Sequence, residues 1–502
     1  MIKYCKFYCL QDIRVLRIGF EAFVKAALRR PICMNVHEIL TVPALANEYM
    51  KRNVFHPNGK IYELNGTLQR FCQGAVYGGR CMTASNYRYD ITGKLADFDA
   101  KSLYPSAMAR MFTVEGIPEF YEHKDPDAIY NKDHLPDILI HAFDDEQRIA
   151  TTDKYISQFI VDIEITAIGI ERQFPLIVER TNTTRGLQQM NVNKCTTMRV
   201  DMIMLQDLIT FQDISFKLGN GYIWKGDRSH LIRTEISKLF NLRAEYQKTG
   251  NPTQQIIKLI MNSAYGKSIQ KPIKTFMHFV KKDEADWYIR DRYHQIHCDY
   301  ILEDGNHLIE LTKQKATQFN NVLFGVTVLS MSKRIMNEVM CTAEDNGINI
   351  YYQDTDSMHI EYDKLPLLTE AFKAKYNREL IGDQLGNFHN DFDEISDAYC
   401  TRHISLGKKM YVDVLANDKG ETALHYRLKG VPQEVIRNHA KKHFNGDIVK
   451  LYEYLYASDK NTINFNLLDG KVCMFYSKTG SVMTRDRFDR EVRATCPMQE
   501  VI

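Results

Sequence analysis

The sequence predicts an α+β fold, and three stretches carry that expectation. Residues 94 to 110 read as a short strand running into a helix. Lys94-Leu95-Ala96-Asp97-Phe98-Asp99 alternates loosely, and Pro105 suits the first turn of Ser106-Ala107-Met108-Ala109-Arg110. Further on, Ile232, Ile236, Leu239, Phe240 and Tyr246 stripe one helix, and Ile256, Ile257, Leu259 and Ile260 stripe a second. Gly250-Asn251-Pro252 separates them, with Asn251 and Pro252 as N-cap and first residue of the second, so the pair reads as an antiparallel helical hairpin. Third, Ile348-Asn349-Ile350-Tyr351-Tyr352-Gln353 and Ser357-Met358-His359-Ile360-Glu361-Tyr362 are β-rich runs flanking an acidic turn, the pattern of a β-hairpin.

The remaining elements follow in chain order. A helix is expected over about residues 12 to 30, where Ile13, Leu16, Phe20, Phe23 and Ala27 recur at helical spacing and Pro31 follows the basic end at Arg29-Arg30. Val76-Tyr77-Gly78-Gly79-Arg80 signals a turn or a close backbone approach. Residues 113 to about 220 mix strand-like runs such as Gln158-Phe159-Ile160-Val161 with polar connections, and residues 271 to about 320 are charged and mixed. A helix around 322 to 345 stops at Asn346-Gly347. The last 70 residues, rich in Lys, Arg and Tyr, are expected to be mainly helical.

At 502 residues the chain has room for roughly three domains. Its 44 % apolar and 25 % charged residues exclude a disordered chain, a collagen-like repeat and a disulfide-stapled miniprotein. No stretch approaches the roughly 18 consecutive apolar residues of a membrane span, and Asp12 follows Met1-Ile2-Lys3-Tyr4-Cys5 too soon for a secretory signal. Eleven cysteines without a C-x-x-C pair read as reduced thiols of an intracellular, non-secreted protein. The net charge of +2 is far from that of a small histone-like DNA binder, yet basic residues lining one channel would still suffice for nucleic acid.

The acidic turn is the sharpest chemical signal. Asp354 and Asp356 would stand at the hairpin tip, where like charges repel unless a cation joins them. Carboxylates brought together this way suit Mg²⁺, a hard ion that takes one or two carboxylates plus phosphate oxygens. Asp99, at the end of a separate strand, offers a third. Taken alone, Asp-Thr-Asp is an ordinary solvated turn. The bland reading of Lys258 is an exposed lysine on an amphipathic helix, but Asn262 and Tyr265 at i+4 and i+7 share its face.

In order, Asp99-Ala100-Lys101-Ser102-Leu103-Tyr104-Pro105-Ser106, Lys258-Leu259-Ile260-Met261-Asn262-Ser263-Ala264-Tyr265-Gly266 and Tyr352-Gln353-Asp354-Thr355-Asp356-Ser357 resemble motifs A, B and C of the family B DNA polymerases. Lys409-Met410-Tyr411 resembles the K-x-Y motif that contacts the primer strand, and Arg427-Leu428-Lys429-Gly430 resembles a segment just before the thumb. The resemblance covers roughly residues 70 to 435. It implies a palm, fingers and thumb architecture with an antiparallel palm sheet, and extension of a DNA primer on a DNA template from deoxynucleoside triphosphates. It implies two Mg²⁺ ions (Mn²⁺ as a substitute) on Asp99, Asp354 and Asp356, of which Asp99 and Asp356 are the bridging ligands and Asp354 a supporting carboxylate. Lys258, Asn262 and Tyr265 would face the incoming nucleotide, Tyr104 would be a steric gate beneath its sugar, and the amides of Ser102 and Leu103 would cradle phosphate. Arg243 and Lys248, on the facing helix, are further triphosphate candidates, with ordinary surface charge as their other reading. Gly78, Gly79, Arg80, Ser263, Gly266, Thr355, Lys409, Tyr411 and Lys429 are the implied DNA contacts.

The implied domains are an exonuclease remnant and linker at 1–70, palm at 71–229 with an insertion at about 113–220, fingers at 230–270, a second insertion (about 271–320) and palm at 271–415, and thumb at 416–502. Gly78-Gly79-Arg80 resembles the Y-x-G-G segment of protein-primed members, from viruses, linear plasmids and self-synthesising transposons, although Val76 stands where the tyrosine belongs. In that branch one insertion docks a terminal protein and the other closes around DNA; ordinary palm decoration is the alternative. Tyr8-Cys9-Leu10-Gln11-Asp12 resembles a third exonuclease motif, but only seven residues precede it, and Asp162-Ile163-Glu164 reads as an ordinary strand. One ligand cannot support two-metal hydrolysis, so proofreading is expected to be absent unless a separate exonuclease-bearing fragment supplies it. His294, His297 and Cys298 lack a fourth ligand and read as surface residues. Two other functions remain open, a two-metal nuclease and a catalytically inactive DNA-binding subunit descended from a polymerase. The first leaves Lys258, Asn262 and Tyr265 unused, and the second leaves clustered like charges without a reason.

Overall fold

The computed structural model describes residues 2–39, 41–57, 60–139, 150–151, 154–183, 186–270, 275–312, 321–466, 475–476, 482–483 and 491–495. Parts of the two segments read as insertions, and much of the chain beyond residue 466, lie outside the described residues.

The first helix, α1 (Ile2–Leu28), begins well before the periodicity predicts, and its apolar stripe faces outward. Ile13 is 61 % and Leu16 73 % exposed, and only the helix end enters the core, through Ala27. Periodicity shows that a helix face is apolar; it does not show what covers that face. Helix α2 (Val42–Met50) is capped by the Thr41 side chain and buries Leu45, Ala46, Tyr49 and Met50.

The centre is an eight-stranded antiparallel sheet. Its strands are β1 (Cys81–Thr83), β2 (Tyr89–Ala100), β3 (Ile350–Asp354), β4 (Ser357–Glu361), β5 (Phe388–Asn390), β6 (Tyr399–Gly407), β7 (Met410–Ala416) and β8 (Thr422–Leu428). They run in the order β1-β3-β4-β2-β6-β7-β8, with β5 also paired to β2. Strand alternation sorts the sheet's two faces. Ala96, Phe98 and Ala100 of β2 and Met358 and Ile360 of β4 enter the core shared with the helices α3 (Leu103–Arg110) and α6 (Val322–Asp345). Asp97, Asp99 and His359 alternate with them and point to the other side.

The helical hairpin is α4 (Leu231–Lys248) and α5 (Thr253–Ser268), broken at Gly250, where φ is +66°. Its buried stripe of Ile232, Ile236, Leu239, Ile257, Ile260, Met261 and Ala264 packs into the central core, where α2 lies against α5. Helix α6 is buried along nearly its whole length and stops at Gly347 (φ +66°), as its sequence predicts.

A second core is built mainly from residues 112–224, joined by Cys72, Tyr77, Val322 and Cys341. Strands Thr197–Asp201, Gln158–Ile168, Ile214–Trp224 and Glu119–Tyr121 pair antiparallel in that order, with Ile129–Tyr130 added to Ile214–Trp224. Asp162, on one of these strands, holds Arg199 at 2.7 and 2.8 Å, which makes it a structural carboxylate. Residues 275–312 form a three-stranded sheet with the helix Lys282–Arg292. His294 and His297 are exposed there.

Of the C-terminal region expected to be mainly helical, the described residues carry strands as well as helices. Two short helices, Gln433–His443 and Ile448–Ala457, are followed by Thr462–Asn466, a strand paired with Glu491–Thr495. Strand β8, within the range read as thumb, belongs to the central sheet.

Candidate active site

Register brings the three carboxylates together. Ser357 of β4 pairs with Asp99 of β2, and the Ala100 amide donates to the Asp356 carbonyl at 2.8 Å. Across the hairpin Asp354 pairs with Ser357, and Thr355 at the tip has φ +64°. On the far side β1 pairs Cys81 with Asp354, and the Thr355 amide donates to the Arg80 carbonyl at 2.8 Å. The preceding Gly79 lies so close that a Cβ there would stand 2.7 Å from Thr355 Cγ2. This close approach is the reason for glycine at position 79.

The electrostatics fit a cation site. Burial, then the neighbouring Asp356 carboxylate, pushes Asp99 up to about 8. Asp356 is raised by burial, and Asp354, Asp97 and Asp391 push in the same direction. Asp354 is placed differently: Lys409 Nζ lies 2.9 and 3.0 Å from its oxygens, and the Tyr352 hydroxyl donates to it at 3.3 Å.

Of the expected nucleotide residues, Tyr104 lies within electrostatic reach of Asp356. Tyr104, from the first turn of α3, stacks on Tyr265 of α5 with ring centroids 4.2 Å apart. Lys258 and Asn262 lie on the exposed face of α5, along with Gly266, while Tyr265 and Ser263 are half-buried. Ser102 (φ +54°) provides no side-chain cap, so the first-turn amides of α3 are left to other acceptors. Leu103 itself is a core residue. Arg243 is half-buried; its Nε has no hydrogen-bond partner, and burial lowers its pKa. Lys248 ends α4 exposed, where a cation suits the helix dipole.

Several implied DNA contacts take other positions. The Arg80 side chain is buried: its guanidinium donates to Gln353, to the Phe174 carbonyl at 2.8 Å and to Asn337 at 3.0 Å, bracing the hairpin from behind. Tyr411 is 6 % exposed and packs against Tyr352 and His425. Tyr77 is buried beneath the Arg180 guanidinium, so the aromatic shifted by one place has a packing role. Gly78 and Lys429 are exposed. Tyr8 and Asp12 are exposed on α1.

Sequence reasoning missed two features. Strand β5 places His389 opposite Asp99 and carries Asp391 into its electrostatic surroundings; a three-residue strand leaves no periodic signal. Beneath the hairpin, His359, His403 and Asp413 bring donor atoms within 4.8 Å of one another, a candidate divalent-metal cluster among the described residues. Burial works against the Asp413 charge, but the two facing imidazoles outweigh it and hold the carboxyl well below its usual range. Burial alone would lower His359; Asp413 and then Asp97 carry it up to about 9. The available signal was a run of polar residues, Asp97, His359, His403 and Asp413, at inward positions of central strands.

Residues 1–374 match the family described as DNA polymerase type B, organellar and viral. The chain belongs to this family. Among curated relatives, a DNA polymerase of Kluyveromyces lactis is 23 % identical over 453 residues, covering 87 % of this chain and 40 % of that protein. A probable DNA polymerase of Ascobolus immersus is 25 % identical over 369 residues, covering 72 % of this chain and 27 % of its own length. The chain thus spans less than half the length of these family relatives. In fold it resembles Phi29 DNA polymerase complexed with primer-template DNA, with a TM-score of 0.62 at 15 % identity, covering 96 % of this chain and 70 % of that one. The fold is thus a mixed α+β one that resembles this palm, fingers and thumb architecture, with antiparallel sheets and helical regions. Among the described residues no helix is long and apolar enough to cross a membrane.

Proposed function

We propose that this chain extends the 3′ end of a primer on a DNA template by two-metal nucleotidyl transfer from deoxynucleoside triphosphates. The observation that carries this reading is the register that seats Asp99 beside Asp356 at the tip of the hairpin. Two half-buried carboxylates, both raised first by burial and then by neighbouring carboxylates, form a site that a divalent cation relieves, and all-oxygen donors suit Mg²⁺, with Mn²⁺ as a substitute. Asp99 and Asp356 would hold the ions, with Asp354, already paired with Lys409, alongside. Ions bound there would lower the pKa of the primer hydroxyl and take up charge on the departing pyrophosphate.

The chain's own residues do the positioning. Lys258 on the exposed fingers face neutralises triphosphate oxygens, and the open first turn of α3 receives them at its amides. The Tyr104–Tyr265 stack forms a floor on which the sugar rests, where a 2′-hydroxyl would clash. The primer hydroxyl then gives up its proton and bonds to the α-phosphorus as the bond to pyrophosphate breaks. Gly78, Lys429 and the exposed edge of α5 at Ser263 and Gly266 lie along the DNA path, whereas Arg80 and Tyr411 support that path from inside the sheet.

Initiation from a protein-linked nucleotide belongs to the same reading. It rests on the Gly78-Gly79 segment joined to the catalytic hairpin and on the two accessory units at 113–224 and 275–312, the latter exposing Trp287 and Tyr293.

The test is primer extension on a long template, comparing a DNA primer with a protein-linked nucleotide. Wild type is expected to incorporate dNTPs, Asp356→Asn to lose at least about a hundredfold in rate, and Tyr104→Ala to relax discrimination against ribonucleotides by roughly ten- to a hundredfold. Template-bound protein without incorporation would establish the inactive-subunit reading, and metal-dependent strand cleavage without incorporation the nuclease.

A further inference from the structure

Beneath the hairpin, the buried triad has a fourth neighbour. Strand β6 is bulged between Cys400 and Arg402: Cys400 pairs with Leu415 of β7, while His403 pairs with Asp413. In a regular strand, residues three apart point to opposite faces; the extra residue turns Cys400 back to the His403 side. Its Sγ stands 3.7 Å from Asp413 Oδ1. His403 Nδ1 approaches the same oxygen at 2.6 Å, and His359 Nε2 lies 3.1 Å from Oδ2. All four residues have no measurable exposure. We propose that Cys400, His403, Asp413 and His359 bind one zinc ion, a structural site separate from the carboxylates that face the nucleotide.

Three features support it. A thiol, two imidazoles and one carboxylate suit zinc and not magnesium, which prefers oxygen and keeps several waters. Tetrahedral zinc, with bonds of about 2.0 Å to nitrogen and oxygen and about 2.3 Å to sulfur, spaces its donors about 3.3 to 3.5 Å apart. The sulfur stands within a few tenths of an ångström of that spacing from Oδ1, His403 must open away from the same oxygen, and His359, now against Oδ2, must turn to share the ion. Second, charge closes: a thiolate and a carboxylate balance the dication, with the thiol proton and the proton of one imidazolium released on binding. Third, His359 Nδ1 and Asp97 Oδ1 are both buried without a hydrogen-bond partner and stand 3.9 Å apart. A metal-bound histidine commonly donates its other N–H to a carboxylate, and Asp97 is placed for that role.

A site with all four positions filled by protein is structural, because it leaves no place for substrate. Its mechanical effect is to tie β4, which leads away from the catalytic tip, to β6 and β7. The inference rests on the sheet alone and holds whatever reaction the carboxylates perform.

The test uses the full chain, expressed with zinc present and dialysed into Mg²⁺ buffer. Elemental analysis is expected to find about one zinc per chain. Cobalt exchanged into the site should give intense tetrahedral visible bands together with a near-ultraviolet thiolate charge-transfer band. Cys400→Ser should remove the charge-transfer band, His403→Gln should lower metal content at least about tenfold, and Asp356→Asn should leave zinc content unchanged. Folded wild-type chain, verified by circular dichroism, with no stoichiometric zinc would overturn the proposal. So would a cobalt spectrum without the thiolate band, or zinc that follows Asp356 and not His403. The wild-type measurements decide the question even if a variant fails to fold.

Discussion

Asp99 shows how burial and a neighbour of like charge raise a carboxyl's pKa. Its carboxyl keeps its proton up to about pH 8, where an isolated aspartate would have lost it near 4. In the proposed function a metal on Asp99 would displace that proton, so below about pH 8 each unit of acid should weaken its affinity by roughly tenfold. The sign follows: Mg²⁺ should raise the melting temperature more at pH 8.5 than at pH 6.5. Thermal scans at fixed Mg²⁺ should show that difference in the wild type and lose it in Asp99→Asn. Equal Mg²⁺ shifts at both pH values in the wild type would count against Asp99 as a ligand. The residue scale also explains the fate of Arg80. Its neighbours in sequence resemble a DNA-contacting segment, yet carbonyl acceptors from Phe174 and Pro175 and the side chains of Gln353 and Asn337 hold its guanidinium inside the protein.

At the scale of elements, the acidic hairpin depends on its flanking backbone. The tip residue Thr355 is held in a left-handed conformation that costs energy, and the carbonyl of Arg80 clamps its amide. Gly79→Ala would drive a methyl group into Thr355 Cγ2, displacing the tip that carries Asp354 and Asp356. A loss of about 1–3 kcal/mol in transition-state stabilisation is expected, read as a fall in kcat. Thr355→Ser removes the clashing Cγ2, so Gly79→Ala/Thr355→Ser should recover much of the lost rate. Additive losses in the double mutant would disprove steric coupling. The hairpin and the helical pair were legible because their signals are local: strand composition around an acidic turn, and a Gly-Asn-Pro break between apolar stripes. The helix itself was legible at α1, but not what covers its apolar stripe, because periodicity reports a face and not its partner.

For the whole molecule, the central core is joined across distant segments by Glu338 of α6. Its carboxylate takes Arg110 of α3 at 2.8 and 2.9 Å and Arg378 at 2.6 Å. Burial alone would raise Glu338; the two guanidiniums outweigh it and hold the carboxyl below its ordinary range. A depressed carboxyl contributes stability that is present above its ordinary pKa and lost as pH falls through the lowered value. Glu338→Ala should therefore destabilise the chain at neutral pH by about 2–3 kcal/mol, less than a fully buried pair because both arginines are partly solvated. Urea unfolding should show the deficit shrinking as the wild type is acidified. A deficit that does not change with pH would assign the loss to packing instead.

By itself, the sequence determined the fold class, the acidic hairpin, the helical pair and its break, and the helix α5 that bears Lys258, Asn262 and Tyr265. Each of these is written in residues close together along the chain, where propensity and spacing act directly. Only the tertiary structure decided that β5 lies against Asp99, that Arg80 and Tyr411 turn inward, and that a bulge brings Cys400 to His403, Asp413 and His359. Those outcomes depend on register and on the curl of one sheet, in which strands far apart in sequence must meet before any of their side chains acquires a neighbour.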